Sequence, residues 1–203
     1  MKSMRLQLPA LVIALLAVLP MASLPASAAD LYAIDATHSS VGFKVKHLVS
    51  KVPGRFTSFS GTIRFDAKTV SASSVDVTID ATSINTDNPK RDAHLKSPDF
   101  LDAEKFPTMT FKSTKLRAID KDHFEVVGDL TIHGVTKPVT LQTELLGISP
   151  GFGTGQRIGF QATTTINRKD FGVSWNKVLD NGSLLVGEEV QIEIAIEAEI
   201  TKG

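Results

Sequence analysis

Residues 190–200, VQIEIAIEAEI, carry apolar side chains at the even positions and mostly charged side chains at the odd positions. Successive side chains of a β-strand point to opposite faces, so this period of two predicts a strand with one apolar face and one charged face. A strand of this kind lies between a hydrophobic interior and water. The rest of the chain repeats the pattern.

Seven further segments alternate in the same way, which gives about eight strands in all. Their apolar faces carry Val41, Phe43 and Val45; Phe59, Ile63 and Phe65; Val75, Val77 and Ile79; Met109 and Phe111; Leu130 and Ile132; Val139, Leu141 and Leu145; and Ile158, Phe160, Ala162 and Ile166. Helical crossovers are missing between most of them, so the sheet is expected to be mainly antiparallel. Closure removes exposed edges, and we predict a mainly β protein with an eight-stranded antiparallel β-barrel.

A polar insert near residues 88–105 interrupts this alternation. Asn88-Pro89 and Ser97-Pro98 each pair a good helix N-cap residue with proline at the first helical position, which predicts a short helix after each. Arg91 and His94, three residues apart, then share one face of the first helix. The insert also carries apolar side chains that need burial, and the open end of the barrel is the expected place.

The first residues have the features of a secretory signal peptide. Lys2 and Arg5 precede a uniformly apolar run at 10–19, and small residues follow it. We predict a signal peptide over 1–29, one domain over 30–203, and a location in the periplasm or outside the cell. The apolar run is shorter than the roughly 20 residues of a membrane-spanning helix. We therefore predict that the protein is not an integral membrane protein.

Composition excludes several classes of function. Without the two basic residues of the signal peptide the chain has 20 basic and 22 acidic residues, and this balance disfavours nucleic-acid binding. The chain has no cysteine, which excludes disulfides, thiolate catalysis and cysteine-based zinc sites.

Catalytic and metal-binding motifs are weak. The run 147–151, GISPG, fits the Gly-x-Ser-x-Gly elbow of hydrolases, but Pro150 has no N–H to offer an oxyanion and no helix-forming segment follows. A hydrolase is therefore a remote alternative. None of the five histidines has a short ligand spacing with another: His38, His47, His94, His123 and His133. We predict no enzyme activity, no catalytic residue, no cofactor and no metal.

His47 continues the apolar face of Val41, Phe43 and Val45, so it is expected to point inward at the end of the row. Two interpretations stay open. It is either a histidine satisfied within the protein at the barrel rim, or a polar contact to the head group of a ligand in a mostly apolar pocket.

The order of several motifs resembles the YceI-like polyisoprenoid-binding family. The resemblance covers nearly the whole chain after the signal peptide. It rests on the segments 35–43 (DATHSSVGF), 46–48 (KHL), 54–56 (GRF), 83–86 (SINT), 91–95 (RDAHL), 99–100 (DF), 106–111 (FPTMTF), 128–139 (GDLTIHGVTKPV), 167–172 (NRKDFG) and 186–190 (VGEEV).

The resemblance implies a lipocalin-like, extended barrel that carries a long isoprenoid or acyl lipid: a polyisoprenoid, an isoprenoid quinone or a fatty-acid derivative. Transport of such a lipid and a role in stress response are further expectations of the resemblance, and a homodimer is possible. We predict an apolar tunnel lined by Phe43, Val45, Phe65, Ile79, Phe100, Phe111, Ile132, Phe160 and Trp175. The predicted head-group contacts are His47, Arg55, Arg91 and His94, with a structural role as the alternative for Arg91 and His94.

Two alternatives to a lipid carrier remain. Small barrels often fill their interior with their own side chains, which would leave a structural barrel without a ligand. Eight alternating strands also fit an outer-membrane barrel, although one Trp and one Tyr are few for its aromatic girdles. The family resemblance favours a hollow barrel that faces water.

Overall fold

The computed structural model describes residues 29–151, 153, 155–180 and 182–201. The predicted signal peptide lies outside these residues except for Ala29. The strands are β1 (Asp30–Ile34), β2 (Ser40–His47), β3 (Ser50–Phe56), β4 (Phe59–Phe65), β5 (Ser74–Asp80), β6 (Ile84–Asn85), β7 (Thr108–Ala118), β8 (His123–Ile132), β9 (Val135–Ser149), β10 (Arg157–Asn167) and β11 (Val186–Ile200). The helix α1 spans Pro89–Lys96, and short 3-10 helices span Val70–Ala72, Ala81–Ser83 and Arg168–Phe171.

All these strands belong to one antiparallel sheet that closes on itself. The last strand, β11, joins the ends: Ile200 lies opposite Tyr32 of β1, and Ile192 lies opposite Phe43 of β2. Strands β1 and β2 are thus two halves of one long bent strand, as are β3 with β4 and β5 with β6. Counted in this way the barrel has eight strands in chain order, which confirms the predicted fold class.

Along the strands, most apolar side chains point inward and most charged side chains point outward. On β11, Ile192 and Ile194 line the interior, while Glu193 between them lies exposed and bonds Lys44 of β2 across the outer face at 2.7 Å. The alternation visible in the sequence is therefore the alternation between interior and water.

The two ends of the barrel differ. One end carries the turns that join β4 to β5, β7 to β8 and β9 to β10. The other end, the mouth, carries the tight β2–β3 and β8–β9 hairpins, the insert 86–107 and the connection 168–185. In the described part of the chain β6 pairs with β3 and not with β7, so the sheet is split at the mouth and the insert fills the gap.

The insert contains one of the two predicted helices. The Asn88 side chain accepts a hydrogen bond from Arg91 N, and Pro89 starts α1, as the sequence predicts. The second helix was predicted wrongly. Ser97 instead ends α1, with its N–H bonded to His94 O at 3.1 Å, and the chain continues in turns because Asp102 adopts a left-handed φ of 44° that a helix does not allow.

Among the described residues, buried side chains form three clusters, and members of each line a central space. The first contains Tyr32, Ile63, Phe65, Phe124, Ile158, Phe160 and Ala198. The second contains Val41, Phe59, Ile79, Ala81, Ala103 and Met109. The third contains Phe111, Leu116, Val126, Leu130, Ile166 and Phe171. Within the described residues, no helix has the length and apolar character that crossing a bilayer requires.

Candidate ligand cavity

The barrel encloses an elongated apolar cavity of about 450 Å³. This volume falls within the roughly 300–1,000 Å³ typical of ligand pockets. Along β8 the lining runs from Phe124 to Ile132, eight residue steps or about 27 Å measured along the strand. The interior is hollow over most of the length of the barrel, so the alternative of a barrel filled by its own side chains does not fit.

All nine residues of the predicted tunnel line this cavity: Phe43, Val45, Phe65, Ile79, Phe100, Phe111, Ile132, Phe160 and Trp175. Their positions differ along its length. Phe65 and Phe160 lie at the end remote from the mouth, whereas Phe100 and Trp175 lie at the mouth. The other five form the wall between.

Aromatic rings form the floor of the cavity. The Phe65 ring packs edge-on against Phe160, with centroids 5.4 Å apart, and against Phe124 at 6.0 Å. Below them Tyr32 is 1% exposed and donates its hydroxyl hydrogen bond to Gln156 Oε1 at 3.3 Å. These large side chains close the end remote from the mouth.

Three rings meet at the mouth. The Trp175 ring lies 4.9 Å from His94 and 5.1 Å from Phe100, measured between centroids, and His94 lies 5.0 Å from Phe100. His94 Nε2 also bonds the Asp99 carboxylate at 2.9 Å. Because Trp175 belongs to the connection 168–185 and the other two rings to the insert, the cluster joins the two segments that border the entrance.

Two of the predicted head-group residues have structural partners. Arg91 Nε donates to Thr86 Oγ1 and Arg91 Nη2 donates to Thr86 O, both at 2.7 Å. Asp92 accepts from Thr86 N at 2.9 Å, so α1 is tied to the end of β6. Arg91 and His94 both line the cavity, but these bonds favour the structural alternative for each. His47 lines the cavity at the end of β2 and is half-buried, as its parity predicts.

Arg55 does not line the cavity, and its assignment as a head-group contact does not fit the structure. Phe56, the next residue on β3, lines the cavity, so Arg55 points outward. Its guanidinium donates two hydrogen bonds to Asp87, at 2.9 and 3.1 Å, and this contact lowers the pKa of the Asp87 carboxyl.

Arg168 is a cavity residue that the sequence analysis missed. It lines the cavity just beyond the mouth end of β10 and is 6% exposed. Its Nε donates to Gly187 O at 2.9 Å and its Nη1 to Val173 O at 2.7 Å, whereas Nη2 is buried without a partner among the described residues. Parity could have revealed it, since Arg168 continues the inward row of Phe160, Ala162 and Ile166.

Outside the cavity, one cluster has the composition of metal ligands. Donor atoms of Asp35, His38 and Glu197 lie within 4.8 Å of one another. Arg157 donates to Asp35 at 3.0 Å and also to Glu197, so the carboxylates already face a cation. Hydrogen bonds from His38 and Arg157 hold the pKa of Asp35 well below its ordinary value. The arrangement is that of an ion-pair network.

The segment around Ser149 does not have the geometry of a hydrolase nucleophile elbow. Ser149 is exposed at the end of β9, and its Oγ accepts a hydrogen bond from Gly151 N at 3.3 Å. The next described element is the strand β10, whereas a nucleophile elbow needs a helix after the serine. The GISPG run is part of a strand-to-strand connection.

Comparison with known sequences shows the family to which the chain belongs. The YceI-like domain matches residues 32–198. The chain belongs to the YceI-like family. It is 44% identical over 151 residues to a UPF0312 protein of Vibrio cholerae, a match covering 73% of this chain and 79% of the relative. It is 41% identical over 175 residues to a UPF0312 protein of Pseudomonas aeruginosa, covering 85% of this chain and 87% of the relative.

Solved structures of this YceI-like fold are similar over most of the chain. The YCEI protein of Campylobacter jejuni has a TM-score of 0.66 and 36% identity, with 77% of this chain and 90% of that chain covered. BcnA of Burkholderia cenocepacia has a TM-score of 0.71 and 26% identity, covering 81% and 98%. A polyisoprenoid binding domain of Saccharophagus degradans, 20% identical with a TM-score of 0.65, covers 86% and 100% and shares the fold.

Proposed function

We propose that this YceI-like protein binds a long apolar amphiphile in its barrel, shields it from water and catalyses no reaction. The observation that carries the proposal is the elongated 450 Å³ cavity, lined almost entirely by apolar side chains and bordered by the aromatic rings of the mouth. A cavity of this kind holds hydrocarbon because burial of each methylene is worth about 0.8 kcal/mol.

Energetics favour a long chain over a short one. Association costs an estimated 4–15 kcal/mol before any net affinity results. About five buried methylenes supply about 4 kcal/mol and leave no surplus, whereas about 20 supply roughly 16 kcal/mol. The length of the cavity along β8, from Phe124 to Ile132, suits the longer ligand.

A polyisoprenoid is our first candidate, with an isoprenoid quinone or a fatty-acid derivative as the other members of the class. The similar domain from Saccharophagus degradans is described as polyisoprenoid binding, which supports this choice of chain type. Methyl branches along an isoprenoid also match a wall built from Phe, Val, Ile and Leu side chains.

The distribution of charge favours a carrier in an aqueous compartment over an outer-membrane barrel. Charged side chains such as Lys44 and Glu193 pair on the outside of the sheet, while apolar side chains line the inside. A membrane barrel has the reverse distribution, with apolar residues toward lipid. Together with the basic start and apolar run of residues 1–29, this supports action in the periplasm or outside the cell.

A variant whose cavity is filled by a larger side chain tests the proposal. Ala162 is 7% exposed and lines the cavity on β10, so Ala162→Trp would place a large ring where the chain of the ligand should lie. We expect prenyl alcohols to lose at least about tenfold in affinity, with the longest losing most, in competition with a fluorescent hydrophobic probe.

Thr163→Trp is the matched control because Thr163 is exposed on the outer face of the same strand. It should bind prenyl alcohols like the unmodified protein. Thermal unfolding of both variants shows whether each still folds. Unchanged affinity in a folded Ala162→Trp variant would contradict binding inside the barrel.

A further inference from the structure

We infer that Arg168 makes the cavity selective for amphiphiles whose head group carries an anionic oxygen, a carboxylate or a phosphate. The inference rests on the proposed function and adds to it the chemistry of the ligand's polar end and the direction in which the ligand lies. Arg168 supplies this selectivity from the start of the connection 168–185, whereas Arg91 and His94 belong to the insert 86–107.

The first observation is the unused donor of Arg168. Two of its nitrogens donate to the backbone, to Gly187 O and Val173 O, which fixes the plane of the guanidinium. Nη2 is buried and has no partner among the described residues. A buried unsatisfied donor is costly, and a ligand oxygen placed against it recovers the missing hydrogen bond.

The second observation is the unbalanced charge of the guanidinium. Both protein partners of Arg168 are neutral carbonyl groups. The charge of Glu188 acts on Arg168 from nearby, but that carboxylate bonds the ammonium group of Lys169. Arg168 is only 6% exposed, and this burial lowers the pKa of its guanidinium. A cation in an apolar wall attracts an anion more strongly than it would in water.

Arg91 and Arg168 differ in whether a carboxylate belongs to their hydrogen-bond networks. Both arginines line the cavity, but Arg91 bonds Thr86 twice and Thr86 is itself bonded to the Asp92 carboxylate. The Arg91 network therefore contains its own anion and holds α1 in place. The Arg168 guanidinium has no carboxylate bonded to it among the described residues, and an anionic ligand oxygen can accept a charge-assisted hydrogen bond from its free Nη2.

The position of Arg168 also orients the ligand. It lies two residues beyond Ile166, at the mouth end of β10, whereas Phe160 of the same strand belongs to the floor. Seven residue steps, about 24 Å along the strand, separate Phe160 from Asn167, the last residue of β10, and Arg168 follows Asn167. The head group therefore lies near the mouth, and the chain runs inward toward the floor.

Four probes with the same chain test the inference: palmitate, hexadecyl phosphate, hexadecanol and hexadecylamine. The unmodified protein should bind the two anionic probes at least about tenfold more tightly than hexadecanol, and hexadecylamine most weakly, since a hydrogen bond between two charged groups is stronger than one to a neutral oxygen. Arg168→Met should remove this preference while changing the affinity for hexadecanol by less than about threefold.

The control is Arg55→Met, which removes an exposed arginine that points away from the cavity. It should preserve the order of the four affinities, so that a loss of general positive charge is distinguished from the loss of Arg168. If Arg168→Met does not fold, ¹⁵N NMR of the Arg168 guanidinium in the unmodified protein replaces it. Palmitate should shift these N–H signals and slow their exchange, and hexadecanol, whose oxygen is neutral, should affect them much less.

Two contrary outcomes are distinguishable. Equal affinities for the anionic probes and hexadecanol, with unchanged guanidinium signals, would overturn the role of Arg168 while the carrier function stands. Failure of all four probes to bind would overturn the carrier function and this inference together.

Discussion

Gly128 shows how single residues keep the cavity in shape. A Cβ on this buried residue of β8 would lie 2.5 Å from the ring of Phe111 and 2.7 Å from Lys112 O on the neighbouring strand. Gly128→Ala should therefore displace a cavity-lining ring and lower the free energy of unfolding by about 1–3 kcal/mol. Urea denaturation measures this loss.

Gly159→Ala provides the matched comparison. Gly159 is also a strand glycine, but a Cβ there meets nothing closer than Leu146 Cβ at 3.6 Å, an ordinary contact. Its effect on the unfolding free energy should stay within about 0.5 kcal/mol. Equal losses in the two variants would show that the Phe111 ring does not depend on the space above Gly128.

At the scale of single residues, the alternation of side chains along each strand predicted correctly which residues face the interior. It placed His47 and the predicted wall residues on the interior face, because a strand alternates strictly between two sides. The assignment of Arg55 came from a family motif without regard to parity, and the structure places it outside. Arg168 lies in the NRKDFG motif, but it is also the next inward position after Ile166, so the alternation along β10 alone would identify it as a cavity residue.

At the scale of elements, an ion-pair network holds the corner between β1 and β2. Asp35 lies in this corner and bonds His38 at 2.8 Å and Arg157 of β10 at 3.0 Å. Hydrogen bonding to Asp35 raises the pKa of His38, while the bonds from His38 and Arg157 lower the pKa of Asp35. The network therefore connects the corner between β1 and β2 to Arg157, the first residue of β10.

The signs of these shifts define the pH range in which the network stabilises the fold. His38 contributes fully below its ordinary pKa of 6.5, and the contribution is lost as the pH rises through its raised folded pKa. Asp35 contributes above its ordinary pKa of 3.8, and the contribution is lost as the pH falls through its lowered folded pKa. Both contributions are complete between those two ordinary values.

Asp35→Asn should return the pKa of His38 toward 6.5. The loss of thermal stability should be largest between the two ordinary pKa values and smaller at high pH, where His38 is neutral and only the contact with Arg157 is missing. NMR titration of the histidine rings measures the pKa. His123, whose pKa is raised by Asp120 in the β7–β8 turn, is the internal control and should not change. An unchanged pKa of His38 would contradict the coupling.

The insert shows where local signals stop being sufficient. Asn88-Pro89 predicted α1 correctly because a side-chain cap and a proline act on the residues next to them. Ser97-Pro98 offers the same signal but follows α1 directly, so Ser97 became its C-cap. The turns after it bring Phe100 to Trp175, a contact between segments distant in sequence that no local rule contains.

At the scale of the whole molecule, the number of strands was predictable and the empty interior was not. Alternation identifies which side chains face inward, but eight strands can enclose either packed side chains or a ligand. The outcome depends on strand tilt and on breaks such as the one between β1 and β2, which are set by the closed sheet as a whole. The structural sign that the centre was left open is the cavity of about 450 Å³, whose lining includes members of all three core clusters.

Native mass spectrometry of the purified protein, followed by organic extraction, tests the central claim most directly. The carrier account predicts a long-chain lipid bound to each chain, released intact by solvent and reduced in amount in the Ala162→Trp variant. The same spectrum shows whether one or two subunits are present. A protein of bare polypeptide mass that also fails to bind prenyl alcohols or a hydrophobic probe would contradict the account.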